Sequence, residues 1–314
     1  MTTLAQKILA KSPGICLYGI APPKRAIGED ALRTLVEAQR ARIAALSADG
    51  LVVYDIEDES SRTDVPRPFP FLPTIDAGTY ADSMLRELEI PKIVYRPVAR
   101  FDRAAFEATM RAEATRADER FTVLVGAPSR SSALQGIPLG DAYRVANELA
   151  PSLLIGGIAI AERHGHGFAE HERMIAKMDR GCRFFVTQAV YDVTSTKSLI
   201  SDLAIRLERD GRDPVPMIVT FSPCGSEKTL DFMRWLGIAF PRWLENDLRR
   251  SHDILEKSVA LAIRIGEELV EYAREHRIPL GINVESVSVR KAEIDASVAL
   301  FHALAAHVRR AREG

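Results

Sequence analysis

The sequence is poor in cysteine and has no excess of either charge. Its 314 residues include three cysteines, which are odd in number and far apart, so they fit neither a disulfide framework nor a CxxC metal site. Sparse cysteine of this kind is typical of the reducing cytoplasm, where we expect the protein to reside. The 42 basic and 43 acidic side chains leave a formal net charge of -1, which excludes a strongly basic nucleic-acid-binding protein.

Long apolar segments are also lacking. No run approaches the roughly 18 residues that a membrane span needs, and the first 13 residues contain no apolar stretch typical of a secretory signal. We therefore expect no membrane partner. The composition is otherwise ordinary, with 46% hydrophobic and 27% charged residues, which is enough to build a sizeable core.

Short apolar runs alternate with longer amphipathic segments along the chain. The runs are continuously apolar, a pattern typical of parallel strands covered by helices. Eight such units in about 250–300 residues predict an α/β protein with a (β/α)8 TIM barrel. A doubly wound open sheet is the alternative, which the absence of a GxGxxG motif after the first run disfavours. The predicted strands are 15–20, 50–54, 92–95, 121–125, 153–160, 183–187, 217–221 and 279–284.

The amphipathic segments predict the helices of the barrel. One extra helix, 249–276, is expected before the last strand, and the proline-rich segment 66–73 is expected to form a loop on the barrel rim. No linker-like stretch divides the chain, which predicts a single domain over residues 1–314. The apolar faces at 258–272 and 296–308 fit either a homo-oligomer interface, which we expect, or the covering of the barrel.

The densest candidate site follows the second strand. Residues 55–59 carry four carboxylates, which repel one another and raise some of their pKa values. A carboxyl group with a raised pKa at the mouth of a barrel is a good proton donor, so Asp55 and Glu57 are candidate catalytic acids. The alternative is a solvated loop paired with Arg62 or Arg67.

A second cluster follows the fifth strand. It contains Glu162, His164 and His166, with Glu170 and His171 close by. Histidine and glutamate at this density suit zinc, but no cysteine or second compact cluster completes a defined motif, so we expect no metal ion. Ligand binding by Glu162 and His164 is the preferred interpretation, and an exposed loop is the alternative.

Other strand ends carry groups that suit a flat ring or an anion. Gln188 offers a donor and an acceptor on one side chain, which suits a pterin or a nicotinamide, or alternatively satisfies loop backbone. Tyr191 and Phe221 are placed either to stack on a heteroaromatic ring or to pack in the core. Arg130, in the turn 126–130, suits a phosphate or carboxylate.

Together these residues resemble the methylenetetrahydrofolate reductase family over about residues 15–305. The stretch 157–164 looks like the family's Glu-x-His loop, 181–188 looks like its strand ending in Thr-Gln, and 236–241 is similar to its LGV-x-x-P helix entry. The resemblance implies a TIM barrel that reduces methylenetetrahydrofolate to methyltetrahydrofolate for methionine biosynthesis. NAD(P)H is the implied hydride source, and FAD passes the hydride in most members.

The resemblance also implies roles for individual residues. Gln188 is expected to bind the pterin, while Glu162, His164 and Lys177 are expected around the flavin or the nicotinamide nucleotide. The full expected set is Gln188, Tyr191, Phe221 and Glu285 for the folate, and Ala127, Arg130, Glu162, His164 and Lys177 for the cofactor.

Two positions depart from the family pattern. Gly19 stands where the family has a glutamate that protonates the pterin, and Ala127 stands where it has an aspartate facing the flavin. One interpretation is that Asp55 or Glu57 supplies the proton and NAD(P)H gives its hydride directly, as in a flavin-independent branch. The alternative is a folate-binding or one-carbon accessory protein with altered catalysis. A metal-dependent hydrolase is a third class, which the scattered histidines disfavour.

Overall fold

The computed structural model describes residues 2–60, 63–115, 120–127, 136–165 and 167–313. Its eight strands close into a barrel in the order β1 to β8, which confirms the predicted (β/α)8 fold. The pairing is parallel, and β3 and β4 stay in register from Lys92 opposite Arg120 to Pro97 opposite Val125. The strands are β1 (Cys16–Ile20), β2 (Gly50–Val53), β3 (Lys92–Pro97), β4 (Arg120–Val125), β5 (Leu154–Ala159), β6 (Phe184–Ala189), β7 (Met217–Phe221) and β8 (Leu280–Val284).

Ten helices are labelled in the described residues. A turn of α-helix at Ala77–Thr79 continues into a π-helical turn at Tyr80–Met84, and single 3-10 turns lie at Val98–Arg100 and Ala161–Arg163. The helices are α1 (Leu4–Leu9), α2 (Glu29–Ala44), α3 (Arg103–Ala114), α4 (Leu139–Leu149), α5 (Glu170–Asp179), α6 (Val193–Arg209), α7 (Glu227–Trp235), α8 (Arg242–Arg249), α9 (Ile254–Glu275) and α10 (Lys291–Glu313).

The strands are apolar throughout because both of their faces are covered. Every residue of β1, β2, β7 and β8 is buried, as the continuous apolar runs predicted. Capping side chains start several helices: Asp192 accepts from backbone N–H groups at the start of α6, and Ser226 does so at the start of α7. These caps set the residues at which the loops after β6 and β7 end.

The extra helix expected over 249–276 is present as one helix, α9, which begins five residues later than predicted. A separate helix, α8, ends at Arg249, and Asp253 begins α9. The Asp253 carboxylate accepts a hydrogen bond from the Glu256 N–H at 2.9 Å, which satisfies one of the free donors at the start of α9. Helix α1, ahead of the first strand, was not predicted.

The chain divides into two compact units. The first comprises Met1–Leu17, Ile158–Ala176 and Phe184–Gly314, and the second comprises Tyr18–Gly157 and Lys177–Arg183. A core cluster of the first unit consists of Ala189, Tyr191, Cys224, Leu230, Met233, Ile238, Leu244, Leu248 and Leu261. The single-domain organisation expected from the sequence stays a prediction.

A buried ion pair lies in the second unit. Arg96 of β3 donates a hydrogen bond from Nη2 to Oε1 of Glu113 at 2.7 Å, and both side chains are more than nine-tenths buried. Asp76 lies 3.8 Å from the other terminal nitrogen of Arg96. Among the described helices, none combines the length and the apolar character needed to cross a bilayer.

Candidate functional site

Gln188 lies in a segment of β6 where the regular pairing with β7 is interrupted. Strand β6 pairs with β7 up to Val186, and the register shifts before pairing resumes at Ala189. Within the shifted segment the Thr187 hydroxyl accepts a hydrogen bond from the Thr220 N–H at 3.0 Å and donates one to the Gln188 carbonyl at 2.7 Å. The Thr187 hydroxyl thus accepts the hydrogen bond that a backbone carbonyl group of β6 accepts in a regular parallel ladder. Irregularities of this kind re-aim side chains at the ends of strands and are common beside active sites.

The side-chain amide of Gln188 is oriented by the turn after α7. Its Nε2 donates a hydrogen bond to the Leu236 carbonyl at 2.6 Å. This contact confirms that the amide satisfies loop backbone, which was one of the two interpretations of this residue. The bond uses one donor of the amide, and Oε1 keeps its capacity to accept a hydrogen bond from a ligand.

Glu162 places a carboxylate in a dry position. It lies in the 3-10 turn that follows β5, and both of its carboxylate oxygens are shielded from solvent without a well-formed hydrogen bond. Burial raises the pKa of Glu162 to about 7, although the backbone N–H groups of Glu162 and Ala239 lower it. An acceptor held dry without partners is costly unless donors arrive from elsewhere.

Gln188 and Glu162 approach the same turn. Leu236 accepts the hydrogen bond of Gln188, and the backbone of Ala239 acts on the Glu162 carboxylate. Both contacts fall within residues 236–239, the segment that the sequence singled out as a helix entry. We call Glu162, Gln188 and this turn the Glu162–Gln188 site. It offers a carboxylate and an amide oxygen, a set of acceptors that suits a ring edge rich in N–H groups.

Tyr191 is a core residue. Its hydroxyl donates a hydrogen bond to the Ser222 carbonyl at 2.6 Å, and its ring packs on Phe240 with centroids 4.4 Å apart. Burial raises the pKa of the Tyr191 hydroxyl well above its ordinary value. The core interpretation of Tyr191 fits this position, because its polar group is already used and its ring is covered.

Phe221 is likewise a core residue and is 1% exposed. Its ring lies against Gly266 of α9, where even one added methyl group would meet it at 3.4 Å. Neighbouring side chains of a strand point to opposite faces, and Phe221 takes the face that the helix covers. Glu285 follows β8 directly, is partly buried, and donates its backbone N–H to the Phe221 carbonyl at 3.0 Å.

The acidic loop, residues 55–59, lies in the second unit and contains an ion pair. Asp55 accepts a hydrogen bond from Nη1 of Arg100 at 2.6 Å, and its side chain is only 3% exposed. Burial raises the pKa of Asp55, and the Arg100 guanidinium opposes that rise. The sequence suggested Arg62 or Arg67 as partners. Arg62 lies outside the described residues, and Arg100 was missed because it is 45 positions away.

Glu57 is the better candidate of the two for a general acid that keeps its proton at neutral pH. Burial raises the pKa of its carboxyl group to about 7, which Arg100 opposes and the charges of Asp55 and Glu59 reinforce. Its nearest cation, Arg100, is 3.9 Å away and is already bonded to Asp55. A carboxyl group with a pKa near 7 exists in both forms at neutral pH, as a general acid must.

The residues expected around a nucleotide have separate surroundings. Lys177 lies against Gly157 of β5, in a space that it shares with the Tyr143 hydroxyl and the Cys182 thiol. Ala127 lies just after β4 and offers no carboxylate to a flavin. Arg130 lies outside the described residues. The placement of these residues around a nucleotide stays a prediction.

His164 takes part in a cluster that the sequence showed only in part. Its Nε2 lies 3.0 Å from Oδ2 of Asp202 on α6, and its ring meets that of His171 edge-on with centroids 5.2 Å apart. Asp202 was missed because it follows His164 by 38 positions and belongs to a different helix. Only the folded chain shows that Asp202 on α6 lies beside the loop that carries His164.

One solved structure is similar to this chain in both sequence and fold. It is an uncharacterized protein from Clostridium thermocellum that binds two copies of 5-methyl-5,6,7,8-tetrahydrofolic acid. It is 43% identical, with a TM-score of 0.86, and the match covers 96% of this chain and 99% of the other. The chain belongs to the family of this protein. This relative therefore shares the barrel described above over almost its entire length.

Other comparisons add little. The xylanase TsXylA from Thermoanaerobacterium saccharolyticum is 12% identical with a TM-score of 0.49, covering 93% of this chain and 92% of the other. An endo-1,4-beta-xylanase from Caldicellulosiruptor owensensis is 9% identical with a TM-score of 0.47, covering 92% and 89%. Similarity this low carries no argument about function. No family model and no curated protein matches the chain.

Proposed function

We propose that this protein binds a reduced folate of the 5-methyltetrahydrofolate type at the Glu162–Gln188 site. The proposal is supported by the family relationship, since the Clostridium thermocellum relative binds that folate. The observation that carries it to particular residues is the buried carboxylate of Glu162, which has no well-formed hydrogen bond and lies near the turn that orients Gln188.

The chemistry of a pterin fits these groups. One edge of the pterin ring presents an N–H and an amino group side by side, and a carboxylate accepts two such donors at once. The Oε1 atom of Gln188 accepts a further hydrogen bond, since Nε2 is committed to Leu236. Binding thus relieves the unmet hydrogen-bonding capacity of Glu162, which favours the ligand over bulk water.

Calorimetric titration with 5-methyltetrahydrofolate tests this proposal. We expect the E162Q variant to bind about 10- to 100-fold more weakly, because a hydrogen bond to a charged group contributes roughly 1.5–3 kcal/mol. The E271Q variant is the matched control, because Glu271 is exposed on α9 and makes no described contact. No binding by the wild-type protein would refute folate binding, and unchanged binding by E162Q would refute the assigned site.

A second candidate function is the reduction of methylenetetrahydrofolate by NAD(P)H. The observation that favours it is the Glu57 carboxyl group, whose pKa of about 7 leaves much of it protonated at neutral pH. In this proposal Glu57 protonates a nitrogen of the methylene bridge, the carbon–nitrogen bond to that nitrogen opens, and an iminium remains. A hydride from NAD(P)H then converts the iminium carbon to a methyl group and leaves NAD(P)+.

A flavin does not fit the residues described. The flavin-facing carboxylate expected from the family resemblance is replaced by Ala127, and no neighbouring described position of that strand end supplies one. The reaction proposed for this protein therefore does not use FAD. The proposed reaction needs a bound folate, a proton donor and NAD(P)H as a second substrate.

Oxidation of NADH and NADPH on addition of methylenetetrahydrofolate tests the reductase function. We expect the absorbance of the reduced nicotinamide to fall without added flavin, and the protein to show no flavin bands. Oxidation that requires FAD would contradict direct transfer. Folate binding without any oxidation would favour a folate-binding accessory protein instead.

A further inference from the structure

Two histidines and an aspartate of the first unit form a cluster that includes neither Glu162 nor Gln188. They are His164 in the loop after β5, His171 in the first turn of α5, and Asp202 on α6. One ligand atom from each residue lies within 4.8 Å of the other two. The closest pair, Nε2 of His164 and Oδ2 of Asp202, is 3.0 Å apart, which is about the separation of two ligands on one zinc ion.

Both imidazoles keep a ring nitrogen that the protein does not use. The Nδ1 atoms of His164 and His171 are buried and have no hydrogen-bond partner among the described residues. His164 is 7% exposed, so water does not readily serve it. Histidine is the commonest protein ligand for transition metals, and either ring nitrogen can bind an ion.

One positive side chain beside the cluster is already paired. It belongs to Arg206, one helical turn beyond Asp202 on α6. Its guanidinium is already neutralised by Asp210 and by Glu172, whose Oε1 accepts from Nε of Arg206 at 2.8 Å. The same Glu172 oxygen lies 3.6 Å from Nε2 of His171, which adds negative potential to the cluster.

We propose that His164, His171 and Asp202 bind a divalent transition-metal ion, with Zn2+ as the preferred occupant. Two imidazoles and one carboxylate form a donor set suited to zinc and to related borderline ions, and they leave a fourth position to water. The Asp202 side chain is 52% exposed, which provides a path of entry from solvent. This proposal does not rest on the folate function.

The ion joins three elements of the first unit. It ties the loop after β5 to the start of α5 and to the middle of α6, in addition to the His164–Asp202 hydrogen bond and the edge-on contact of the two imidazoles. Metal binding therefore stabilises the folded state, because the unfolded chain has no preformed site. The effect on thermal unfolding gives a readout that does not need enzymatic activity.

Metal binding is measured on the full-length, tag-free protein. After treatment with a chelator, Zn2+ is titrated against a chromophoric competitor, and Co2+ is added separately to record its visible absorption. We expect one equivalent of Zn2+, a cobalt spectrum with nitrogen ligands, and a higher unfolding temperature with Zn2+. The H171A and D202N variants are each expected to lose at least about 100-fold in Zn2+ affinity.

The choice of variants separates a metal ligand from a structural hydrogen bond. D202N keeps an acceptor for His164 but loses the negative charge, so its stability without metal is expected to stay close to that of the wild type. H252A is the matched control, because His252 is exposed between α8 and α9. Failure of the wild type to bind a stoichiometric ion, or equal affinity in D202N, H171A and the wild type, would overturn the proposal.

Discussion

The E57Q variant is expected to oxidise NAD(P)H about 100- to 10,000-fold more slowly than the wild type when methylenetetrahydrofolate is the acceptor. Glutamine keeps the size and polarity of the side chain but has no acidic proton to give. Glu57 is the candidate because burial brings the pKa of its carboxyl group to about 7, whereas the neighbouring Asp55 is held by Arg100. Steady-state rates at saturating folate measure the effect.

The pH profile tests the same role independently. A general acid works in its protonated form, and Glu57 loses that form as the pH rises through about 7, so the turnover rate is expected to fall on the alkaline side. This alkaline limb should disappear in E57Q. Titration of the Glu57 carboxyl group by NMR gives a midpoint near pH 7 whether or not the protein turns over.

The D58N variant is the matched control for E57Q. Asp58 lies in the same loop and is exposed, and hydrogen bonds from Ser60 lower its pKa, so it has no proton to donate at neutral pH. We expect D58N to keep the wild-type rate. Full activity in E57Q with an unchanged pH profile would mean that the proton comes from another group.

The E113A variant is expected to lose about 3–5 kcal/mol of unfolding free energy. Glu113 is 4% exposed and accepts a hydrogen bond from the guanidinium of Arg96, which is 6% exposed. Removing the carboxylate leaves a buried cation without its hydrogen-bonded partner; Asp76 is 3.8 Å away, and its side chain is 40% exposed. Urea unfolding followed by circular dichroism measures the change.

The same helix provides the comparison for this prediction. Glu107 of α3 pairs with Arg103 and Arg111 at spacings of four residues on the outer side of the helix. Exposed pairs of this type contribute less than about 1 kcal/mol, so E107A is expected to be nearly neutral. A loss in E113A no larger than that in E107A would show that the Arg96 charge finds another partner or solvent.

Local pattern was sufficient for the architecture. The continuous apolar runs mark strands that are buried on both faces, and their number and spacing predicted the eight-stranded barrel that the structure has. The same argument located the ends of the strands, and with them Gln188 after the sixth run and the acidic loop after the second. It placed the extra helix before the last strand correctly but started it five residues too early, at 249, because the cap at Asp253 was not recognised.

Side-chain direction was beyond the reach of that pattern. In a strand without polar alternation, nothing in the sequence says which face a residue such as Phe221 takes. Tyr191 follows its strand, so its direction was equally undefined, and for both residues core packing and ligand stacking stayed open. The structure buries both residues, Tyr191 with its hydroxyl bonded to Ser222 and Phe221 against Gly266. The shift of register that presents Gln188 was equally invisible in the sequence.

The sequence by itself determined the barrel, the strand ends and the types of group placed there, because these depend on residues that are neighbours along the chain. Only the tertiary structure decided which groups meet. Arg100 reaches Asp55 across 45 positions, and Asp202 reaches His164 across 38. Such pairs depend on how strands and helices pack, and burial then sets the pKa values that distinguish Glu57 from its neighbours.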